Sequence, residues 1–417
     1  MKKFYPIVLL FLLGCLSEEN LEPGNPQVFL KYYNGGFDDE ARDFKRTSDG
    51  GFILLATTTV RASDVAEARY KIKLIKVDEF GTPQWTNVYP RFDDPIDSVS
   101  FRGNSIQVLK DQTGNDTGYV VVGDSIQRGA GSQSHLRIMV TDLSGVILTR
   151  RNFSPGFGVS GTAVAITSTG NFVVLGSATN SAEPEDMFVA ELDQNLATVW
   201  SRSHGAGFSA LSNRLYTDAQ SNIFWAGTVL KSNRSNIRIV KTPPDSENTE
   251  FDLTLGPPDS NETGEDFCRV GSGFAVVGTT DEFGDEDILF KRLSQNGDEL
   301  STHLFGEPSR AENGLAICQS SDGGFILVGS TESTAGSGRG GTDYYMIKLN
   351  AFGTGGKDAG GNDLPFIWER IFGSKSDDIP SAVMSLSDGS IVVYGTTVWG
   401  GLRTLSLIKA NKEGKLE

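Results

Sequence analysis

The chain is poor in the side chains on which most metal and nucleophilic chemistry depends. It has three histidines and three cysteines in 417 residues. His135, His204 and His303 fall in three different sequence units, so a zinc site or a histidine-based triad has nothing to assemble from. No Gly-x-Ser-x-Gly elbow leads into a helix. The glycine-rich residues 336–341 lack the Lys-Ser/Thr of a phosphate-binding loop, and the acids around Asp186, Asp287 and Asp343 do not have EF-hand spacing. Positive charge is also short. The formal net charge is -16, which repels phosphate backbones and argues against nucleic acid as a partner. After the first residues no run of eighteen apolar residues occurs, so no transmembrane helix is expected.

What is present begins at the N-terminus. Lys2 and Lys3 precede a short apolar run, residues 7–13, with the build of a signal peptide. It ends in Leu12-Leu13-Gly14-Cys15, which resembles the lipobox of bacterial lipoproteins and implies lipidation at Cys15. Ser17-Glu18-Glu19 resembles the surface-export signal of Bacteroidota lipoproteins. The organisation expected is a signal peptide over residues 1–14, a lipidated cysteine and polar tether over 15–26, and one domain over 27–417.

That domain is a repeat. Residues 322–350, DGGFILVGSTESTAGSGRGGTDYYMIKLN, read as a tight turn, a strand, a glycine-rich loop and a second strand. Equivalent strand starts stand at Phe52, Tyr119, Phe172, Ile223, Phe274, Phe325 and Ile391. Four residues on come Ala56, Gly123, Gly176, Gly227, Gly278, Gly329 and Gly395. A period near fifty with several short strands per unit predicts a β-propeller of seven four-stranded antiparallel blades. The last unit lacks its fourth strand. Residues 27–36 resemble the fourth strand of the preceding unit and are expected to complete the ring, which removes two exposed sheet edges. Trp85, Trp200 and Trp368 recur in the fourth strands and are read as packing between blades.

In such a ring the loops joining strands b–c and d–a share one face, the top. They vary in length and composition, as binding loops do, whereas the opposite turns are short except for residues 350–364. Acids recur ahead of strand a at Asp39, Asp94, Asp266, Glu312 and Asp378. They read either as caps of backbone N–H groups or as a carboxylate ring able to hold a cation such as calcium. No cofactor is otherwise expected. Trp399 is the top-face aromatic without a counterpart in other units. It reads as a stacking platform for a sugar or a partner's pocket, or as a cover for the core. Arg339, Phe283, Arg128 and Arg61 are the accompanying candidates. Cys268 and Cys318 occupy equivalent places in adjacent units and are read as free buried thiols rather than a bridge.

The phrase [DS]-G-[GS]-[FI]-[IVA]-[LV]-x-G-[ST]-T, as at 322–331 and 388–397, resembles repeats of secreted bacterial β-propeller proteins, many of them Bacteroidota surface lipoproteins. The resemblance implies a lipid-anchored outer-membrane protein, facing the cell exterior, that binds an outer-membrane protein complex or a glycan without catalysis. The alternative is a propeller-type glycoside hydrolase or lyase using top-face carboxylates. The tryptophan docking repeat expected of quinone-cofactor dehydrogenases is absent.

Overall fold

The structure is a computed structural model, and it describes residues 28–60, 69–90, 99–127, 134–153, 158–180, 183–204, 209–231, 234–244, 249–257, 259–332 and 341–417. Seven four-stranded antiparallel sheets form a β-propeller, and no helix occurs among the described residues. Blades 1 to 6 use four consecutive long strands each. Blade 1 runs Asp38–Arg46, Phe52–Val60, Arg69–Val77, Pro83–Tyr89, with the first strand innermost. Blade 7 combines Asp378–Ser385, Ile391–Trp399 and Leu402–Ala410 with the N-terminal strand Phe29–Tyr33. That strand pairs antiparallel with the third strand, from Phe29 opposite Lys409 to Tyr33 opposite Leu405. The ring is therefore closed by its N-terminal strand.

The turn chemistry follows the sequence. At Asp322-Gly323-Gly324 the Asp322 carboxylate accepts the Gly324 N–H at 3.0 Å, and Gly323 has φ 84, which a residue with a Cβ adopts only with strain. Residues 350–364 form a small ribbon of their own, Gly356–Lys357 paired with Asp363–Leu364.

The core is not one centre but seven layers. Each apolar cluster joins two neighbouring blades: Leu54, Val77 and Tyr394 join blade 1 to blade 7, and Phe290, Phe325 and Ile347 join blade 5 to blade 6. Strands b and c are buried on both faces, so they read as continuous runs such as Phe52-Ile-Leu-Leu55. Trp85, Trp200 and Trp368 lie against three of these layers. Cys268 and Cys318 are free thiols, and burial pushes the Cys318 thiol up to about 12.

One distortion repeats in all seven blades. The inner strand carries one extra residue relative to its partner: between Ala41 and Asp43, Gly103 and Ser105, Gly161 and Ala163, Ser212 and Arg214, Gly264 and Asp266, Gly314 and Ala316, and Pro380 and Ala382. A β-bulge of this kind bends the strand and re-aims the extra side chain. The bulge also presses the inner strand's carbonyl onto the next strand. A Cβ at Gly123, Gly278 or Gly329 would collide with the carbonyl oxygen of Arg102, Thr263 or Asn313. This is why the second strand carries its recurrent glycine.

Candidate functional site

The bulges build an axial pocket. Six of the extra residues, Arg42, Asn104, Thr162, Glu265, Leu315 and Ser381, border a cavity of about 450 Å³ together with Glu40, Arg102, Asp124 and Arg214. The bulge lies at or just before the middle of each inner strand, so the pocket lies near the middle of the channel.

Electrostatics there are unusual for a structural core. Arg42 pairs with Glu40 at 2.8 Å. Burial, set against Glu40 and reinforced by the nearby Arg102 charge, holds the Arg42 guanidinium below its ordinary value. Arg214 pairs with Asp266 at 3.1 Å and donates across the axis to the Ser381 carbonyl at 3.3 Å. Burial raises Glu265 and Asp266 above the usual carboxylate range, Asp266 doing so against the pull of Arg214. Burial pushes Asp124 up to about 6 despite the Gly161 N–H and Asn104 amide it accepts.

Asp124 stands out by comparison with its own repeats. The residue after the marker glycine ties adjacent blades by accepting the N–H that precedes the next bulge. Thr57, Thr228, Thr279 and Thr396 do so for Gly103, Gly264, Gly314 and Ala41, at 2.9–3.3 Å. Asp124 does so for Gly161 at 2.7 Å. Where blade 7 has Pro380 there is no N–H to tie. Every other blade has threonine or serine at this place; blade 2 has a carboxylate.

A second feature lies at the rim. Trp399, 59% exposed, stands 5.5 Å from the ring of Tyr32, 43% exposed, on the closing strand. Tyr32 borders a cleft of about 240 Å³ between blades 6 and 7, lined also by Leu30, Phe372, Gly373 and Asp378. Partial burial and the Asp378 carboxylate raise the Tyr32 phenol above its ordinary value. Beneath, the Tyr344 and Ser406 hydroxyls share a hydrogen bond of 2.7 Å.

The recurring acids do not ring the axis. Asp39, Glu312 and Asp378 sit opposite Thr58, Thr331 and Thr397 in register, and all three are buried beside strands b and c. Asp39 pairs with Lys73 at 2.5 Å, Glu312 accepts from Thr331 at 2.6 Å, and Asp378 accepts the Ser374 N–H at 2.6 Å. Asp266 is a correction to the sequence alignment. The register places Glu262, opposite Thr280, at this position in blade 5, and Glu262 pairs with Lys291 at 3.3 Å. Asp266 lies past the bulge, equivalent to Asp43, four residues further along the strand than the position of Asp39. Both accept the N–H of the next blade's inner strand, from Ile106 and Ile317, at 3.0 Å.

Phe283 is 74% exposed on the b–c loop of blade 5, and nothing brings it to the Tyr32–Trp399 pair of blade 7. Cys15, Arg61, Asp94, Arg128 and Arg339 lie outside the described residues. No group of three or more potential metal ligands occurs among the described residues. Sequence reasoning missed Tyr32 and the axial set of Arg42, Arg102, Asp124 and Arg214. Asp124 was within reach, as the acid after Gly123 where the other repeats show a hydroxyl.

No protein-family model matches the sequence, and no curated protein matches it. Solved structures similar to it include a puromycin hydrolase, at TM-score 0.50 and 11% identity over 86% of this chain. The chain spans half the length of that structure. An α-L-arabinofuranosidase from Fusarium graminearum aligns at TM-score 0.46 and 8% identity, covering 76% of this chain and 94% of its own. A sialidase from Streptococcus pneumoniae aligns at TM-score 0.46 and 10% identity, covering 91% of this chain and 68% of its own. At these identities the likeness concerns the fold.

Proposed function

We propose that the chain is a lipid-anchored surface propeller of the outer membrane that binds a glycan at the top rim of blade 7. The carrying observation is the exposed Tyr32–Trp399 pair at a cleft bordered by the Asp378 carboxylate. Aromatic rings offer a flat apolar platform for a sugar face, and a carboxylate accepts from its hydroxyls. A protein partner, such as an outer-membrane complex, is the less favoured occupant. The cleft of about 240 Å³ is the size of one ring, whereas a stable protein interface buries on the order of 1,600 Å². The anchor rests on Leu12-Leu13-Gly14-Cys15, and the outward orientation on Ser17-Glu18-Glu19.

The test is binding of wild type and of Trp399→Ala and Tyr32→Ala to immobilised surface polysaccharides, alongside fractionation of Cys15→Ser. Retention of wild type with loss in both aromatic variants supports the reading. Equal retention of all three proteins, or membrane association of Cys15→Ser without fatty-acid label, contradicts it.

Glycoside hydrolysis or lysis is the second reading. It is favoured by the Asp124 carboxyl, whose pKa of about 6 suits a general acid near neutral pH. Release of reducing ends from a bound polysaccharide, lost in Asp124→Asn, decides for it.

A further inference from the structure

The axial pocket differs from the rim in every respect: it is polar, central and built by the bulges rather than by the closing strand. We propose that it is a separate ligand site, which takes one neutral polyhydroxylated molecule the size of a sugar ring, held by Asp124, Arg102 and Arg42.

A hydroxyl suffices to tie one blade to the next, as Thr57, Thr228, Thr279 and Thr396 show. Asp124 makes the same tie with Oδ1 and so keeps a second oxygen for other use. Oδ2 accepts only from the Asn104 amide, at 3.4 Å, and Asp124 lines the pocket. A carboxylate in place of a hydroxyl adds a buried charge that the tie does not need.

The Arg102 guanidinium lies over the Tyr70 ring, 4.2 Å from its centroid, and no hydrogen bond to a described residue holds it. Arg42 pairs with Glu40 through Nη2, while its buried Nε has no acceptor. Buried donors are nearly always satisfied in folded proteins, so the Arg42 Nε points to a group that comes from outside, and the half-buried Arg102 guanidinium beside it is available to the same group.

The lining holds Arg42, Arg102 and Arg214 against Glu40, Asp124 and Glu265, so its formal charges cancel and favour neither an anion nor a cation. Donors and acceptors interleaved in this way match vicinal hydroxyls, each of which both gives and takes a hydrogen bond. Leu315 and Pro380 supply an apolar wall for the C–H face of a ring. At about 450 Å³ the cavity falls within the usual range of small-molecule pockets, about 300–1,000 Å³.

The experiment titrates the purified full chain by calorimetry with glucose, galactose, mannose, xylose and N-acetylglucosamine, and with glucuronate and glucosamine as charged counterparts. Wild type is expected to saturate with at least one neutral sugar. Asp124→Thr, which keeps the tie, is expected to bind it about ten- to a hundredfold more weakly, the loss typical of a charged hydrogen-bond partner, with its melting transition intact. Arg102→Gln is expected to do the same and serves if Asp124→Thr does not fold. The proposal is overturned if no neutral sugar saturates the wild type, or if only a charged counterpart does. It is overturned equally if both variants bind like wild type. Binding that survives Asp124→Thr and Arg102→Gln but is lost in Trp399→Ala belongs to the rim alone.

Discussion

The Asp124 carboxylate in blade 2 accepts the backbone N–H of Gly161 in blade 3 at 2.7 Å, while the corresponding ties elsewhere in the ring come from threonine hydroxyls. At this position of the repeat one blade junction thus carries a titratable group where the others carry a hydroxyl.

That junction should make stability depend on pH in a definite direction. Burial raises Asp124 to about 6 in the folded chain, against the pull of Arg102 and Arg42, while an unfolded aspartate titrates near about 4. The folded state therefore holds the proton more tightly. Its contribution is fully present below about pH 4 and is lost as the pH rises through 6. Asp124→Thr removes this dependence. Denaturant titrations of both proteins between pH 4 and 7 should show their stability difference shifting toward the variant by about 2–3 kcal/mol. A difference that stays constant with pH would contradict the assignment.

Trp399→Ala should separate binding from stability. The ring is 59% exposed and rests on Tyr32 rather than on the buried layer beneath. Binding of the cognate glycan is expected to weaken by about 1–3 kcal/mol, and the melting temperature to hold. A sharp fall in melting temperature with unchanged affinity of the remaining folded protein would make Trp399 a core residue.

Removal of residues 28–33 should open the ring. Those residues supply Phe29 and Tyr33 to the layer between blades 7 and 1, and the Tyr33 hydroxyl bonds the Gly81 carbonyl at 2.8 Å. Their loss exposes the edge of Leu402–Ala410. The expected cost is several kcal/mol, a large part of the stability of an ordinary domain, read as a lowered melting temperature or as aggregation. A truncated chain that melts like the intact one would refute closure by this strand.

Lys73→Met should be severe and partly reversible. Lys73 and Asp39 form an ion pair of 2.5 Å, with side chains 7% and 0% exposed. Breaking it strands a buried carboxylate, at about 3–5 kcal/mol. Asp39→Leu in the same chain should recover most of that loss, because the pair is then replaced by apolar packing. If calcium raises the midpoint of Lys73→Met to that of wild type, Asp39 serves a cation as well as Lys73.

The propeller was legible in the sequence because its period is fixed by local chemistry. Asp-Gly turns, runs such as Phe325-Ile-Leu-Val328 and a glycine four residues after six of the seven strand starts recur wherever the same turn, buried strand and close backbone approach recur. The closing strand was legible for the same reason, since residues 27–36 carry the pattern that the last unit lacks. The axial pocket was not, because each inner strand gives it only one to three residues and a bulge decides which ones. Counting along the chain put Asp266 with Asp39, but the strand register gives that place to Glu262, opposite Thr280 as Asp39 is opposite Thr58, and leaves Asp266 at the place of Asp43. Arg42, Arg102 and Arg214 are far apart in sequence and meet only when seven blades close around one axis. Tyr32 and Trp399 likewise come from opposite ends of the chain. Repetition fixes what every blade shares, and ring closure decides which of the unshared residues face one another.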